Sequence, residues 1–168
     1  VAFVADLATN WIRLRRTPAK HRKVAIILAN YPDKDGRIAN GVGSDTPAST
    51  IAILDAMKDA GYAVEDTPCN GNDLIHRLSL TRRTHERGEV RLLLEEYRKH
   101  FALLPATNRA EITARWGAPE TDPFVREGAF HLAVTLYGNA AVAIQPARGY
   151  NIDPKATYHD PALVPPHG

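Results

Sequence analysis

A short apolar run, 24–29, constrains the fold more than any other feature of this sequence. It reads Val-Ala-Ile-Ile-Leu-Ala, with no polar side chain. Such a run is typical of a strand that is covered on both faces in a parallel sheet. A segment rich in Gly, Asn and Asp, 30–46, follows it, and a helical pattern follows that segment. Strand, loop and helix in this order, with a second strand expected at 62–64, indicate a βαβ unit and an α/β fold.

Helical spacing and end signals place the first three helices. The first helix carries Val4, Leu7, Trp11 and Leu14 and ends at Thr17-Pro18. The second is capped by Asp45 or Thr46, begins with Pro47 and stops at Gly61. We expect 62–64 to be a second strand and Asn72 to cap a short third helix.

The second half of the chain predicts two helices and a hairpin. Residues at steps of three and four indicate an amphipathic helix: Val90, Leu93, Tyr97, Phe101 and Leu104. Asn108 and Glu111 resemble a capping box for the next helix, which stops at Gly117. Segments 130–137 and 140–144 are predicted strands around a Gly138-Asn139 turn, before an irregular Pro-rich tail. The predicted fold is a small parallel or mixed sheet flanked by helices, with a C-terminal β-hairpin.

Composition excludes several classes of protein. The 168 residues suffice for a single α/β domain, or part of one, spanning 1–168. A net charge of +2 gives no nucleic-acid footprint, and no apolar stretch is long enough to cross a membrane. The lone cysteine, Cys69, excludes an intrachain disulfide and is interpreted as an incidental loop thiol. Both ends interrupt a pattern, so we expect an internal fragment of a longer chain.

The basic cluster lies in the segment 79–89, around Arg82, Arg83 and Arg87. Acidic residues interrupt it, which favours a solvated connector. A docking surface for a partner is the alternative.

The loop at 30–46 joins a predicted buried strand to a helix N-terminus. Ligands bind at this position in open α/β sheets, and the free N–H groups of a helix N-terminus favour a phosphate or a carboxylate. The glycine spacing matches no standard nucleotide loop, so a plain long turn is the alternative. The candidate ligand contacts are Asn30, Arg37, Asn40, Gly41, Gly43, Asp45 and Thr46.

A second loop begins at Gln145 and gathers polar and aromatic residues after the last predicted strand. Its candidate ligand contacts are Gln145, Arg148, Tyr150 and Asp153. Arg148 is suited to pair with a carboxylate through two hydrogen bonds. His159, Asp160 and His167 could together ligate a divalent cation, although their spacing matches no standard metal motif. An exposed, proline-stiffened loop is the alternative.

These two loops resemble the large subunit of aerobic cobaltochelatases. The resemblance lies in the stretches 24–32, 35–38, 40–43, 45–49, 145–154, 158–161 and 163–167, and it extends over nearly the whole chain. The large subunit of magnesium chelatase is a more distant relative. The family usually has Gly where this chain has Ala39.

The resemblance implies a role in aerobic cobalamin biosynthesis in the cytoplasm. The family's large subunit, a ligase that forms nitrogen–metal bonds, inserts Co²⁺ into the corrin precursor hydrogenobyrinic acid a,c-diamide. Two smaller ATPase subunits use ATP and Mg²⁺, which are not bound in this region. The resemblance also implies a His- and Glu-containing segment beyond residue 168, so we expect the isolated chain to be inactive.

Within this framework, the polar loop residues receive roles. Arg37 and Arg148 suit the carboxylate and amide arms of the macrocycle. His159 and His167 are the candidate catalytic bases or transient Co²⁺ ligands, because the macrocycle must lose protons when metal enters. Two alternatives stay open: a non-catalytic docking or structural domain of that subunit, and a magnesium chelatase large subunit that acts on protoporphyrin IX.

Overall fold

The computed structural model describes residues 1–29, 43–84, 90–145 and 163–167, and within 80–84 the backbone only. It has five α-helices and six strands in these ranges: α1 (Ala2–Arg16), β1 (Val24–Leu28), α2 (Thr46–Asp59), α3 (Gly71–Thr84), β2 (Val90–Leu93), α4 (Leu94–Phe101), α5 (Ala106–Trp116), β3 (Val125–Arg126), β4 (Ala129–Leu132), β5 (Val134–Tyr137) and β6 (Ala140–Ile144). Short 3₁₀ turns cover Ala19–His21 and Pro119–Thr121. The predicted α/β class is confirmed.

The strands form two three-stranded sheets. Sheet A has the order β1-β6-β5. Its central strand, β6, is parallel to β1 and antiparallel to β5. Sheet B has the order β2-β4-β3 and is antiparallel. The hairpin at Gly138-Asn139 is confirmed, because it joins β5 to β6. The parallel partner of β1 is therefore the last of the described strands, and the antiparallel β5 makes sheet A mixed.

Helices α2 and α3 cover one face of sheet A and form the core with it. Leu54, Leu74 and Leu78 supply the helical side and are fully buried. The sheet contributes Leu28, Tyr137, Ala140, Val142 and Ile144. Each leucine of this kind stabilises the fold by about 1.5–3 kcal/mol through burial of its side chain. This packing fixes the positions at which α2 and α3 begin.

Helix α2 has the predicted ends. The Asp45 carboxylate accepts a hydrogen bond from the Ala48 N–H at 3.0 Å, so Asp45 is the cap. Pro47 occupies the second helical position rather than the first, and it is buried. Gly61 follows the last turn with φ +81°, a conformation that suits glycine. The local sequence therefore determines both ends of this helix.

Several local predictions were wrong. Segment 62–64 is not a strand, although the Ala63 carbonyl accepts a hydrogen bond from the Asn139 N–H at 2.7 Å. Residues 90–93 form β2 instead of the first turn of α4, because they pair with β4. The predicted strand 130–137 is divided between the two sheets. Pairing with distant strands overrides the local pattern in the last two cases.

Two predicted helix caps also differ. Asn70, not Asn72, caps α3, since its side-chain oxygen accepts from the Asp73 N–H at 3.0 Å. Helix α5 begins after Pro105, so the capping box at Asn108 was wrong, although the stop at Gly117 is confirmed. The first part of the segment 79–89 is helical, because α3 continues to Thr84. Its remaining residues, 85–89, lie outside the described ranges.

Helix α1 has the predicted extent and is exposed along its whole length. None of its residues is buried, and Phe3 and Trp11 expose 77% and 65% of their surface. In the described ranges, no helix is both long and apolar enough to cross a bilayer.

Candidate functional site

The carboxyl ends of β1 and β6 lie side by side. Leu28 is in register with Ile144 at the last position of the parallel pair. The pairing continues for one more residue, since the Gln145 N–H donates to the Leu28 carbonyl at 2.9 Å. The segments that follow these strands are the two loops in which the sequence predicts ligand contacts. The structure therefore starts both loops at one edge of sheet A, the edge where ligands bind in parallel sheets.

The first loop leads back into the described chain at the start of α2. Gly43 has φ +78°, and a β-carbon there would meet no atom within 4 Å. Glycine is therefore favoured at this position by backbone conformation and not by crowding. Thr46 is partly buried, and its carbonyl accepts from the Thr50 hydroxyl at 2.8 Å. Asp45 and Thr46 thus both accept hydrogen bonds that stabilise the first turn of α2.

The N-terminus of α3 lies against that of α2. A β-carbon added to Gly71 would lie 2.9 Å from the Pro47 β-carbon and 3.3 Å from the Ala48 nitrogen. Two positive helix ends therefore meet here, which favours a negatively charged group nearby. The caps already use the N–H groups of Ala48 and Asp73. The two helix dipoles consequently contribute more to the attraction of a negatively charged group than the N–H groups of Ala48 and Asp73 do.

A cluster of acidic and basic side chains stabilises the N-terminus of α3. Asp73 accepts hydrogen bonds from the Arg77 guanidinium at 3.2 Å and from the Cys69 N–H at 3.1 Å. These two hydrogen bonds hold the pKa of the Asp73 carboxyl below its usual value. Arg77 also pairs with Asp66 at 3.0 Å. Cys69 is exposed and its backbone serves this cluster, which fits an incidental loop thiol.

His167 lies against a different part of the chain. Its Nδ1 is 2.8 Å from the Tyr97 hydroxyl, and its Nε2 is 3.0 Å from the Gly117 carbonyl oxygen. A carbonyl only accepts, so Nε2 carries the proton, and in the neutral ring Nδ1 accepts from Tyr97. His167 is 9% exposed, and its ring centroid lies 5.1 Å from that of Phe101, with the two rings at 69° to each other. Both ring nitrogens therefore have partners.

The cluster around His167 fastens the end of the tail to α4 and α5. The Trp116 indole N–H donates to the Val164 carbonyl at 2.9 Å. Tyr97 packs on Phe130 with ring centroids 4.7 Å apart. Burial raises the pKa of the Tyr97 hydroxyl, and the negative charge of Asp122 raises it further. The hydroxyl thus stays protonated and able to donate to His167.

This cluster is the part of the structure that sequence reasoning missed. Helical spacing predicts only a packing role for Tyr97 and Phe101. A buried tyrosine or tryptophan usually finds a partner for its polar atom, and that signal could have indicated a binding role. The partners lie about 50 to 70 positions away in sequence, which no local pattern reveals.

The predicted site residues that the structure describes lie in three places. Gly43, Asp45 and Thr46 lie at the α2 N-terminus, Gln145 pairs with β1, and His167 joins α4 to the end of α5. Outside the described residues are Asn30, Arg37, Asn40, Gly41, Arg148, Tyr150, Asp153, His159 and Asp160. Within the described ranges, no group of three or more His, Cys, Asp or Glu side chains is arranged to hold a metal ion. The ligand set His159, Asp160 and His167 therefore stays a prediction.

The chain is similar in sequence to known chelatase proteins. The chain is 49% identical over 172 residues to the aerobic cobaltochelatase subunit CobN of a Sinorhizobium species, covering 100% of this chain and 14% of the relative. It is 29% identical over 167 residues to a magnesium-chelatase protein of Chlorobaculum parvum, covering 98% of this chain and 13% of that relative. The chain thus spans about one seventh of the relatives it matches.

A solved structure of a chelatase subunit contains a region with the same fold as this chain. The catalytic subunit of cobaltochelatase from Mycobacterium tuberculosis superposes with a TM-score of 0.74 at 39% identity. The superposition covers 92% of this chain and 13% of that protein. The family described as CobN/Magnesium Chelatase matches residues 1–168. The chain therefore belongs to the CobN/magnesium chelatase family.

Proposed function

We propose that this chain is part of the large subunit of an ATP-dependent cobaltochelatase that inserts Co²⁺ into hydrogenobyrinic acid a,c-diamide in cobalamin biosynthesis. Family membership supports the chelatase class. The adjacent carboxyl ends of β1 and β6 are the observation that supports a binding role for this region. The ring of a corrin precursor is wide, and two loops that start side by side can contact it together.

The charge pattern of the macrocycle suits the predicted contacts. A corrin precursor carries carboxylate and amide arms around its rim. Arg37 and Arg148, one in each loop, are proposed to bind carboxylates, and Gln145 to bind an amide. The two helix N-termini beside Pro47 and Gly71 add a favourable potential for negative arms.

Metal insertion requires a base, and histidine is proposed to supply it. His159 is the stronger candidate, because the described surroundings of His167 occupy both of its nitrogens. His167 would have to leave Tyr97 before its Nδ1 could accept a proton or contact Co²⁺. Asp160 is proposed to assist as a Co²⁺ contact, since the ion is a substrate and its binding need only be transient.

The remaining machinery is proposed to lie elsewhere. ATP and Mg²⁺ would be used by two partner ATPase subunits in the cytoplasm, and this chain by itself would not insert metal. Measurable cobalt insertion by the isolated chain would contradict that expectation.

A docking or structural role is the second candidate. It would use the basic segment around Arg82, Arg83 and Arg87. Charge reversal there would weaken subunit assembly and leave macrocycle binding intact. Magnesium chelatase activity on protoporphyrin IX is the third, and the higher identity to the cobaltochelatase relative favours the cobalt branch.

An absorbance titration of hydrogenobyrinic acid a,c-diamide into the full-length subunit tests the proposal. Arg148→Ala and Arg37→Ala should each weaken binding by about tenfold or more, because each removes a charge-assisted hydrogen bond. Arg13→Ala is the matched control, since Arg13 is exposed on α1. Unchanged affinity in both loop variants would move the macrocycle site away from these residues and favour the docking role.

A further inference from the structure

Sheet A has a second face that the described chain leaves partly exposed, although Ala143 on this face is buried. The register places six side chains on the face opposite α2 and α3: Ala25, Ile27, Val134, Leu136, Ala141 and Ala143. All six are aliphatic. Ile27 exposes 61% of its surface and Leu136 exposes 53%. We call this set the open face.

The open face is a shallow groove along β6. The central strand contributes two small residues, Ala141 and Ala143, while Ile27 stands on β1 and Leu136 on β5. Two strand spacings separate these walls, which is about 10 Å. An α-helix has a diameter of about 10 Å. The small side chains of β6 between these walls therefore form a floor on which a helix can pack closely.

The pairing of β1 with β6 indicates that this face is normally buried. All-parallel sheets are almost always covered on both faces, and the β1–β6 pair is the parallel part of sheet A. The described helices cover one face of sheet A only, the one that includes Val142 and Tyr137. Helix α1 does not cover the other, since none of its residues is buried. In the ranges that the structure describes, no helix supplies the missing layer.

We infer that the open face binds a helix from the remainder of the same large-subunit polypeptide. The relatives are about seven times longer than this chain, so most of the subunit is available to supply it. The face offers no polar or charged side chain among its six residues. Permanent interfaces are more apolar than transient ones. A permanently attached segment therefore fits better than a partner protein that associates and dissociates.

Carbene footprinting of the full-length subunit, read by mass spectrometry, tests this inference. The urea-unfolded subunit gives the labelling expected for full exposure, and light scattering gives the oligomeric state. Ile27 and Leu136 should be protected when the subunit is monomeric. Full labelling in the monomer overturns the inference, whether protection then appears in a dimer, appears with other chelatase subunits, or never appears.

Two substitutions at one position separate packing from unfolding. In the full-length subunit, Leu136→Asp should expel the helix, so that Ile27 becomes labelled while the buried Val142 stays protected. Leu136→Met keeps an apolar side chain of similar volume and should leave the labelling of Ile27 unchanged. Protection of Ile27 in both variants would also overturn the inference.

Discussion

Nδ1 of His167 lies 2.8 Å from the hydroxyl oxygen of Tyr97, and this contact ties the tail to α4. The second ring nitrogen reaches the Gly117 carbonyl at the end of α5. One imidazole thus joins three parts of the chain that are far apart in sequence.

Tyr97→Phe should destabilise the chain by about 1–2 kcal/mol in denaturant unfolding. The change removes the donor and leaves the buried Nδ1 of His167 without a partner. Tyr62→Phe is the matched control, because the Tyr62 hydroxyl accepts a hydrogen bond from the half-buried Arg22 at 3.1 Å, and Arg22 also donates to the Thr17 carbonyl. Equal losses in the two variants would show that the His167 contact contributes nothing specific.

Tyr137 should make the stability of the fold fall at alkaline pH. Burial raises the pKa of Tyr137 to about 12, while an unfolded tyrosine titrates near pH 10. The contribution of Tyr137 to the free energy of unfolding is complete below about pH 10. It is lost as the pH rises to about 12, because only the unfolded chain releases the tyrosine proton in this range. The loss should reach about 2–3 kcal/mol. Unfolding midpoints measured from pH 8 to 12 test the size and the sign of this change.

Tyr137→Phe should remove that pH dependence. It should also leave the stability at pH 7 unchanged or slightly higher. Among the described residues, the buried Tyr137 hydroxyl has no hydrogen bond of normal geometry, and the neighbouring Thr135 hydroxyl interacts with it only weakly. A buried polar group in this situation costs about 1–3 kcal/mol. A variant that keeps the same alkaline loss would show that another group titrates.

Gly138→Ala should cost at least about 2 kcal/mol. Its φ is +63°, and a β-carbon would lie 2.5 Å from the Ala63 carbonyl oxygen. Gly61→Ala separates backbone strain from steric contact, because Gly61 has φ +81° but a β-carbon there would meet no atom within 4 Å. That control should cost only about 1–2 kcal/mol. Denaturant unfolding of both variants measures the difference, and equal costs would exclude the contact with Ala63 as a constraint.

Asp45 offers a test of capping against ligand binding. Asp45→Ala should cost about 1 kcal/mol in unfolding, while Asp45→Asn should be nearly neutral because asparagine caps as well. Asparagine also removes a negative charge from the helix N-terminus, so titration of the full-length subunit should show equal or tighter binding of the anionic macrocycle. Weaker binding by Asp45→Asn would instead show that the carboxylate itself contacts the ligand.

Local chemistry was sufficient to predict α1, β1, the cap and stop of α2, and the β5–β6 turn. Each depends on residues within a few positions of one another, such as Asp45 and Ala48. The resemblance to chelatase large subunits was equally visible in the sequence, and the comparisons confirm the family. The predicted strand at 62–64 failed because an apolar triplet does not reveal whether a partner strand is available.

Sequence by itself determined the α/β class, the family and the two loops most suited to a ligand. Tertiary structure alone decided that β1 pairs with β6, which starts both loops at one sheet edge, and that His167 binds Tyr97 and Gly117. The reason is physical. Capping and turn geometry act over a few residues, whereas strand pairing and side-chain burial join positions about 50 to 120 residues apart, where many partners of similar local chemistry compete.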